Sequence, residues 1–154
     1  MSITTNTVRP DQVDVRGPRF SAWVTTVVLV ATLLVAALSA SGAAVILGLQ
    51  AVVFAIGASA GPRRHPYGLA FARLIAPRLG AITDREPVPP LKFAQLVGFV
   101  FAVVGAVGFA TGVPALGVIA TGFALVAAIL NAAFGICLGC QLYPLVAQFR
   151  SNPA

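Results

Sequence analysis

The strongest constraint on this chain is the absence of charge over two long stretches. From Phe20 to Pro62, and again from Phe93 to Phe149, there is no Asp, Glu, Lys, Arg or His. A helix crosses the hydrocarbon of a bilayer with about 20 apolar residues, at roughly 1.5 Å per residue. Each stretch is long enough for two crossings. Each is interrupted near its middle by turn-forming or small residues, "SASG" (Ser39–Gly42) in the first and "ATGVP" (Ala110–Pro114) in the second. The sequence therefore predicts an all-α integral membrane protein with four transmembrane helices arranged as two hairpins. The expected spans are about 20–38, 42–60, 93–111 and 115–138, the last able to continue toward residue 148. The apolar runs do not alternate with polar residues, which argues against a membrane barrel. Composition agrees: 58% of residues are hydrophobic and 9% are charged, against roughly 25% charged in a soluble domain. One soluble core of this length could not hide so much apolar surface.

The net charge of +6 raises nucleic acid as a partner, but the placement of the cations answers differently. Arg9, Arg16 and Arg19 precede the first span, and Arg150 follows the fourth. Arg63, Arg64, Arg73, Arg78, Arg85 and Lys92 lie between the second and third. All ten cations fall on one side of a four-span layout, which is the positive-inside pattern. It predicts a multi-pass protein of the cell (inner) membrane with both termini cytoplasmic and no nucleic-acid role. Trp23, Tyr67 and Tyr143 fall on the same side, where aromatic residues anchor at the interface. A cleaved signal peptide is the other reading of residues 9–43. The apolar run is longer than a typical signal core and a second one follows directly, so the first helix is expected to be retained.

The expected organisation is a loose cytoplasmic tail (1–18), a four-helix membrane domain (19–149) with a cytoplasmic loop over 61–92, and a short tail (150–154). Within the loop, Tyr67 to Leu79 predicts a short interfacial helix ended by Pro77. Leu69, Phe71, Leu74 and Ile75 would dip into the headgroup region, and Arg63, Arg64, Arg73 and Arg78 would meet phosphates beside the Trp23 and Tyr143 anchors. "EPVPP" reads as extended and stiff. His65, between two arginines and a proline, reads as a solvated loop residue. "RFSAWV" and "KFAQLV" open the two hairpins alike, which two hairpins meeting the same demand explain as well as a duplication does.

The chemistry-bearing stretch is "NAAFGICLGCQLYP" (Asn131–Pro144), which holds both cysteines. At about 100° per residue, a continuous fourth helix puts Thr121, Ala124, Ala128, Asn131, Gly135 and Gly139 in one small-residue stripe. The third span offers a matching stripe of Ala94, Gly98, Ala102, Gly105 and Gly112. The two stripes are expected to face each other, with Asn131 hydrogen-bonding across. Cys137 and Cys140 would then lie on the opposite face, at the cytoplasmic boundary, toward lipid, another helix or a partner. Residues three apart on a helix can bring two sulfurs within reach. On a continuous helix the pair would sit at a C-terminal end, where the dipole disfavours thiolate. Zinc would need two more ligands, and His65 is the only histidine, so no metal site is expected. A cytosol-facing dithiol should be mostly reduced. Transient redox chemistry and plain packing of two small residues both remain open for the pair.

The segments "DVRGPRFSAWVT" (Asp14–Thr25), "QAVVFAIGASAGPRRHPYG" (Gln50–Gly68), "FAQLVG" (Phe93–Gly98) and "LNAAFGICLGCQLY" (Leu130–Tyr143) resemble a bacterial family of small membrane proteins known as domain of unknown function 4395. The resemblance runs from Asp14 to Gln148. It implies the four-helix architecture, marks Cys137 and Cys140 as the hallmark pair, and implies thiol or sulfur chemistry near thioredoxin-like or sulfurtransferase proteins. The leading expectation is exchange of electrons or sulfane sulfur between Cys137–Cys140 and a cytoplasmic thiol protein. Membrane quinone is a conceivable further acceptor that no sequence feature demands, and no cofactor motif is present. The alternatives are a non-catalytic scaffold or interaction subunit and, ranked last, a small-anion transporter working as an oligomer.

Overall fold

The computed structural model describes residues 11–151. Six helices are defined among them: α1 (Arg16–Ala36), α2 (Ala40–Ala60), α3 (Pro66–Ala70), α4 (Val88–Ala110), α5 (Pro114–Phe134) and α6 (Leu138–Ser151). Helices α1, α2, α4 and α5 are each long and apolar enough to cross a membrane. They close into a ring in which α1 packs on α2 and α5, and α4 packs on α2 and α5. Leu29, Leu47, Ala43 and Ala102 are fully enclosed at its centre. Most of each span nonetheless faces outward, with only 22% to 33% of it buried. Leu34, Leu49 and Phe123 stand 67%, 65% and 62% exposed. So continuous an apolar surface suggests a lipid bilayer environment. The hydroxyls of Thr26, Thr32 and Thr121 sit inside the ring and donate back to the carbonyls of Ala22, Val28 and Gly117, at 2.8, 2.8 and 2.7 Å. This satisfies them without a partner helix.

Arg16, Arg63, Arg85, Lys92 and Arg150 all belong to one end of the ring, called here the basic end. Arg9 lies outside the described residues. At the basic end β1 (Gln12–Asp14) pairs antiparallel with β2 (Arg85–Pro87), with Val13 opposite Glu86. Residues 11–18 are thus more ordered than a loose tail. Asp14 and Arg16 form an ion pair at 2.8 Å, and the hydrogen bond from Arg16 holds the Asp14 carboxyl below its ordinary range. The rest of "EPVPP" departs from the extended expectation: Val88, Pro89 and Pro90 form the first turn of α4. Proline fits there because first-turn N–H groups have no intrahelical partner to lose. The segment expected to be interfacial is α3, then a π turn (Phe71–Ile75) and a 3-10 turn (Ala76–Arg78) that contains Pro77. Phe71 turns inward onto Gly17 and the Phe20 ring, with centroids 5.8 Å apart. Leu74 faces outward.

The fourth span differs from the expected 115–138. It stops at Phe134, where Gly135 takes φ +69°. The N–H groups of Gly135 and Ile136 fold back to the carbonyls of Asn131 and Leu130, each at 3.1 Å. This glycine-closed end releases a three-residue link, 135–137, and a new helix, α6, starts at Leu138 and passes through Pro144 to Ser151.

Candidate functional site

The break at Gly135 rebuilds the surroundings of the cysteines. The carbonyl of Cys137 accepts the N–H of Gln141 at 3.0 Å, the first turn of α6, and its Sγ accepts the N–H of Cys140 at 3.3 Å. Cys137 therefore occupies the N-cap position of α6, its sulfur standing where a capping oxygen usually does. The expected helix C-terminal field is corrected to a helix N-terminal one, because the chain changes helix between Asn131 and Cys137. The pair is joined as a disulfide with Cα atoms 5.2 Å apart.

The orientation is corrected too. A continuous helical wheel turns both cysteines away from Asn131, but Cys137 instead faces the bundle interior. It lines a cavity of about 240 Å³ together with Asn131, Gln95, Ser21 and Thr25. Cys140 is not part of that wall. The cavity exists because α4 and α5 touch at the end away from the cations and splay toward the basic end. A Cβ on Gly105 would press on Leu47, Thr121 and Ala120, and one on Gly108 would meet the Gly117 nitrogen at 2.7 Å. There α4 and α5 pack closely. Nearer the basic end, the same α4 stripe turns to other neighbours. A Cβ on Gly98 would meet Phe54 of α2 at 2.9 Å, and one on Gly139 would meet Ala94 Cα at 2.5 Å. Gly139 thus packs α6 on α4, Gly135 ends a helix, and Gly112 forms a turn at φ +79°. Asn131 lines the cavity.

A second cavity, of about 330 Å³, lies between the ladder, α1 and α3, and shares Pro18, Ser21, Leu91 and Gln95 with the first as a common wall. His65 lines it at 2% exposure, which corrects the expectation of a solvated loop residue. Gly57 makes the burial possible, since a Cβ there would strike His65 and Gln95 at 2.7 and 2.8 Å. Burial pushes the His65 pKa down to about 4, and Gln95 offsets only part of that. Beside it, the Tyr67 hydroxyl donates to Gln50 Oε1 at 2.7 Å, and burial raises the Tyr67 pKa. Among the described residues, Gln50 Nε2, both ring nitrogens of His65 and Gln95 Oε1 are buried without hydrogen-bond partners. Sequence reasoning did not single out Gln50 or Gln95. The available signal was an amide placed inside an apolar span.

The chain matches the family described as Domain of unknown function (DUF4395) over residues 13–148. It belongs to that family. The match takes in everything from β1 into α6, the cysteine pair included. No curated protein and no solved structure matches the chain. The family description assigns no activity, so the chemistry of the site rests on its geometry.

The remaining expected site residues lie around the rim. Arg63 pairs with Asp11 at 3.1 Å and donates to the Gln12 carbonyl at 3.0 Å. Arg64, Arg73 and Arg78 are exposed, and Trp23 is 52% exposed. Tyr143 packs its ring on Phe93, centroids 6.0 Å apart. The Arg19 guanidinium lies about 3.8 Å from where a Gly135 Cβ would stand, beside the carbonyl end of α5, where a cation is favoured. Burial raises the Glu86 carboxyl pKa, and Arg19 partly opposes this. Among the described residues, no group of three or more His, Cys, Asp or Glu side chains is arranged to hold a metal ion.

Proposed function

We propose that the protein is a membrane thiol–disulfide exchanger whose Cys137–Cys140 pair reacts with a protein thiol at the basic end. One observation carries this reading: the disulfide sits on the first turn of α6, and Cys137 Sγ accepts the Cys140 N–H. Helix N-termini favour thiolate through oriented N–H groups and the dipole, so Cys137 is the better leaving group. The partner thiolate attacks Cys140 Sγ, the S–S bond breaks, and Cys137 departs as thiolate. A second partner thiol then attacks the mixed disulfide and releases Cys140 as a thiol. The partner loses two electrons and the pair gains them. By the positive-inside pattern the basic end is cytoplasmic, and the partner is a thioredoxin-like or sulfurtransferase protein.

The test is trapping. Purified protein in lipid nanodiscs is mixed with a tagged thiol peptide. Cys137→Ser should accumulate a mixed disulfide on Cys140 once its remaining thiol is activated with a disulfide reagent, and wild type should turn over without accumulation. If neither cysteine exchanges with any thiol probe while both are alkylatable after reduction, the reading fails.

A further inference from the structure

The cavity beside Cys137 has a chemistry of its own, and the two cysteines meet it unequally. Its walls are supplied by α1, α2 (through Phe54), α4, α5 and the start of α6, four of them long and apolar enough to span a membrane. Phe123 lines the cavity while standing 62% exposed on the outer surface, and its ring stacks on Phe101 with centroids 6.0 Å apart. The Phe101–Phe123 pair thus stands between the cavity and the outer surface, and a turn of the Phe123 ring would admit an entrant from lipid. Deeper in, the apolar wall gives way to polar groups near the basic end. Ser21 and Thr25 are 7% and 5% exposed, and Asn131, Gln95 and Cys137 line the same region.

We propose that this cavity binds the ring of a membrane quinone, which reoxidises the Cys137–Cys140 dithiol. The inference rests on the exchange reading above, because each partner oxidised leaves a dithiol that needs a two-electron acceptor. Three properties of the cavity select this class. It is separated from the lipid-facing surface only by the Phe101–Phe123 pair, so its ligand is lipid-soluble. At about 240 Å³ it is smaller than the roughly 300–1,000 Å³ of sites that enclose a drug-sized ligand, so it houses a ring while an apolar tail stays between helices. Its polar groups lie together at the cysteine end, where Ser21, Thr25 and the Gln95 and Asn131 amides can donate to a carbonyl. The Asn131 amide oxygen can accept the hydroxyl of the reduced product.

The step balances. The Cys137 and Cys140 sulfurs form one S–S bond and lose two electrons. The quinone takes both electrons and two protons, one from the Cys140 thiol and one from water at the basic end that replaces the proton absent from the Cys137 thiolate. Hydroquinone then leaves to the lipid. Cys137, on the cavity wall, reacts with the quinone, and Cys140, outside it, meets the protein partner. One dithiol thus serves two substrates from two sides.

Full-length protein in nanodiscs is reduced, desalted anaerobically and mixed with decylubiquinone. The expected result is loss of about one quinone per protein by absorbance, with both thiols becoming resistant to a mass-tagged alkylator. Ala127→Phe, which fills the cavity, should slow this at least 10-fold. Gln95→Leu should slow it similarly and serves where Ala127→Phe does not fold. A photoreactive azidoquinone should label the cavity walls on α4 and α5, and an azidoalkane of matched length should not. The proposal is overturned if wild-type thiols survive the quinone, if both variants match wild type, or if the alkane labels the cavity equally, which would make it an acyl-chain site. Exchange with the tagged thiol peptide, run without quinone, separates the two ideas. Exchange without quinone reduction removes this inference alone, and no exchange removes the reading beneath it.

Discussion

The two ends of the four-helix ring solve opposite problems. At the end remote from the cations, glycines let α4 and α5 approach until Gly108 lies against Gly117 and Phe109 covers Gly117. There is little room, and the threonine there satisfies itself on its own helix. At the basic end, the same two helices part, Gln50 Nε2, Gln95 Oε1 and both His65 ring nitrogens are buried without hydrogen-bond partners among the described residues, and two cavities share a wall. Stability is concentrated where packing is tight. Polar groups held unsatisfied belong where something is to bind. The proposed activity therefore lies at the end of the bundle that is less well satisfied.

The largest effect that can sharpen this contrast is acid. His65 has an ordinary pKa of 6.5, lowered to about 4 in the folded protein. The unfolded chain therefore takes its proton first. His65's contribution is intact above pH 6.5 and declines as pH falls toward about 4, by on the order of 3 kcal/mol. Thermal unfolding in detergent across that window should show the slope, and His65→Gln should flatten it. An unchanged slope would mean that the ring is hydrated.

Next comes a paired substitution. Gly108→Val forces a side chain onto the backbone of α5 and should cost about 2–3 kcal/mol. Ala127→Leu grows into the cavity instead and should leave the melting temperature equal or higher. Equal losses from both would erase the distinction between the ends. Reducing the disulfide ranks third. It closes a loop of sequence separation 3, and such short loops limit the stabilisation to about 2 kcal/mol, read as the melting shift with and without reductant. Tyr67→Phe is the smallest. It removes the 2.7 Å bond to Gln50 and should cost about 1 kcal/mol, with Gln50→Leu in the same background recovering part of it.

Much of the fold could be read directly from the residues. Charge-free stretches of sufficient length leave the backbone of this chain one economical solution in lipid, the helix. The turns at Ser39–Gly42 and Ala110–Pro114 follow from residues that disfavour continuing one. Gly105 and Gly139 were recognisable as places of close approach because no side chain stands there to keep helices apart. Gly135 carried an ambiguous signal. In a stripe with Gly139 it looks like packing, and only its left-handed φ shows that it ends a helix. That one residue reverses the field acting on Cys137 and turns its sulfur inward. His65 follows a related rule: flanking arginines describe the chain beside it, whereas its burial depends on Gly57 of α2 and Gln95 of α4, which lie on other elements.

The sequence by itself determined four helices, one basic end and a cysteine pair near that end. These follow from solvent transfer and local composition, which act residue by residue. The tertiary structure alone decided that α4 and α5 part company at the basic end, that Cys137 caps α6 beside a cavity, and that Gln50, His65, Tyr67 and Gln95 share one buried cluster. Those depend on close approaches between segments far apart in the chain, where a single missing Cβ decides which helices can touch.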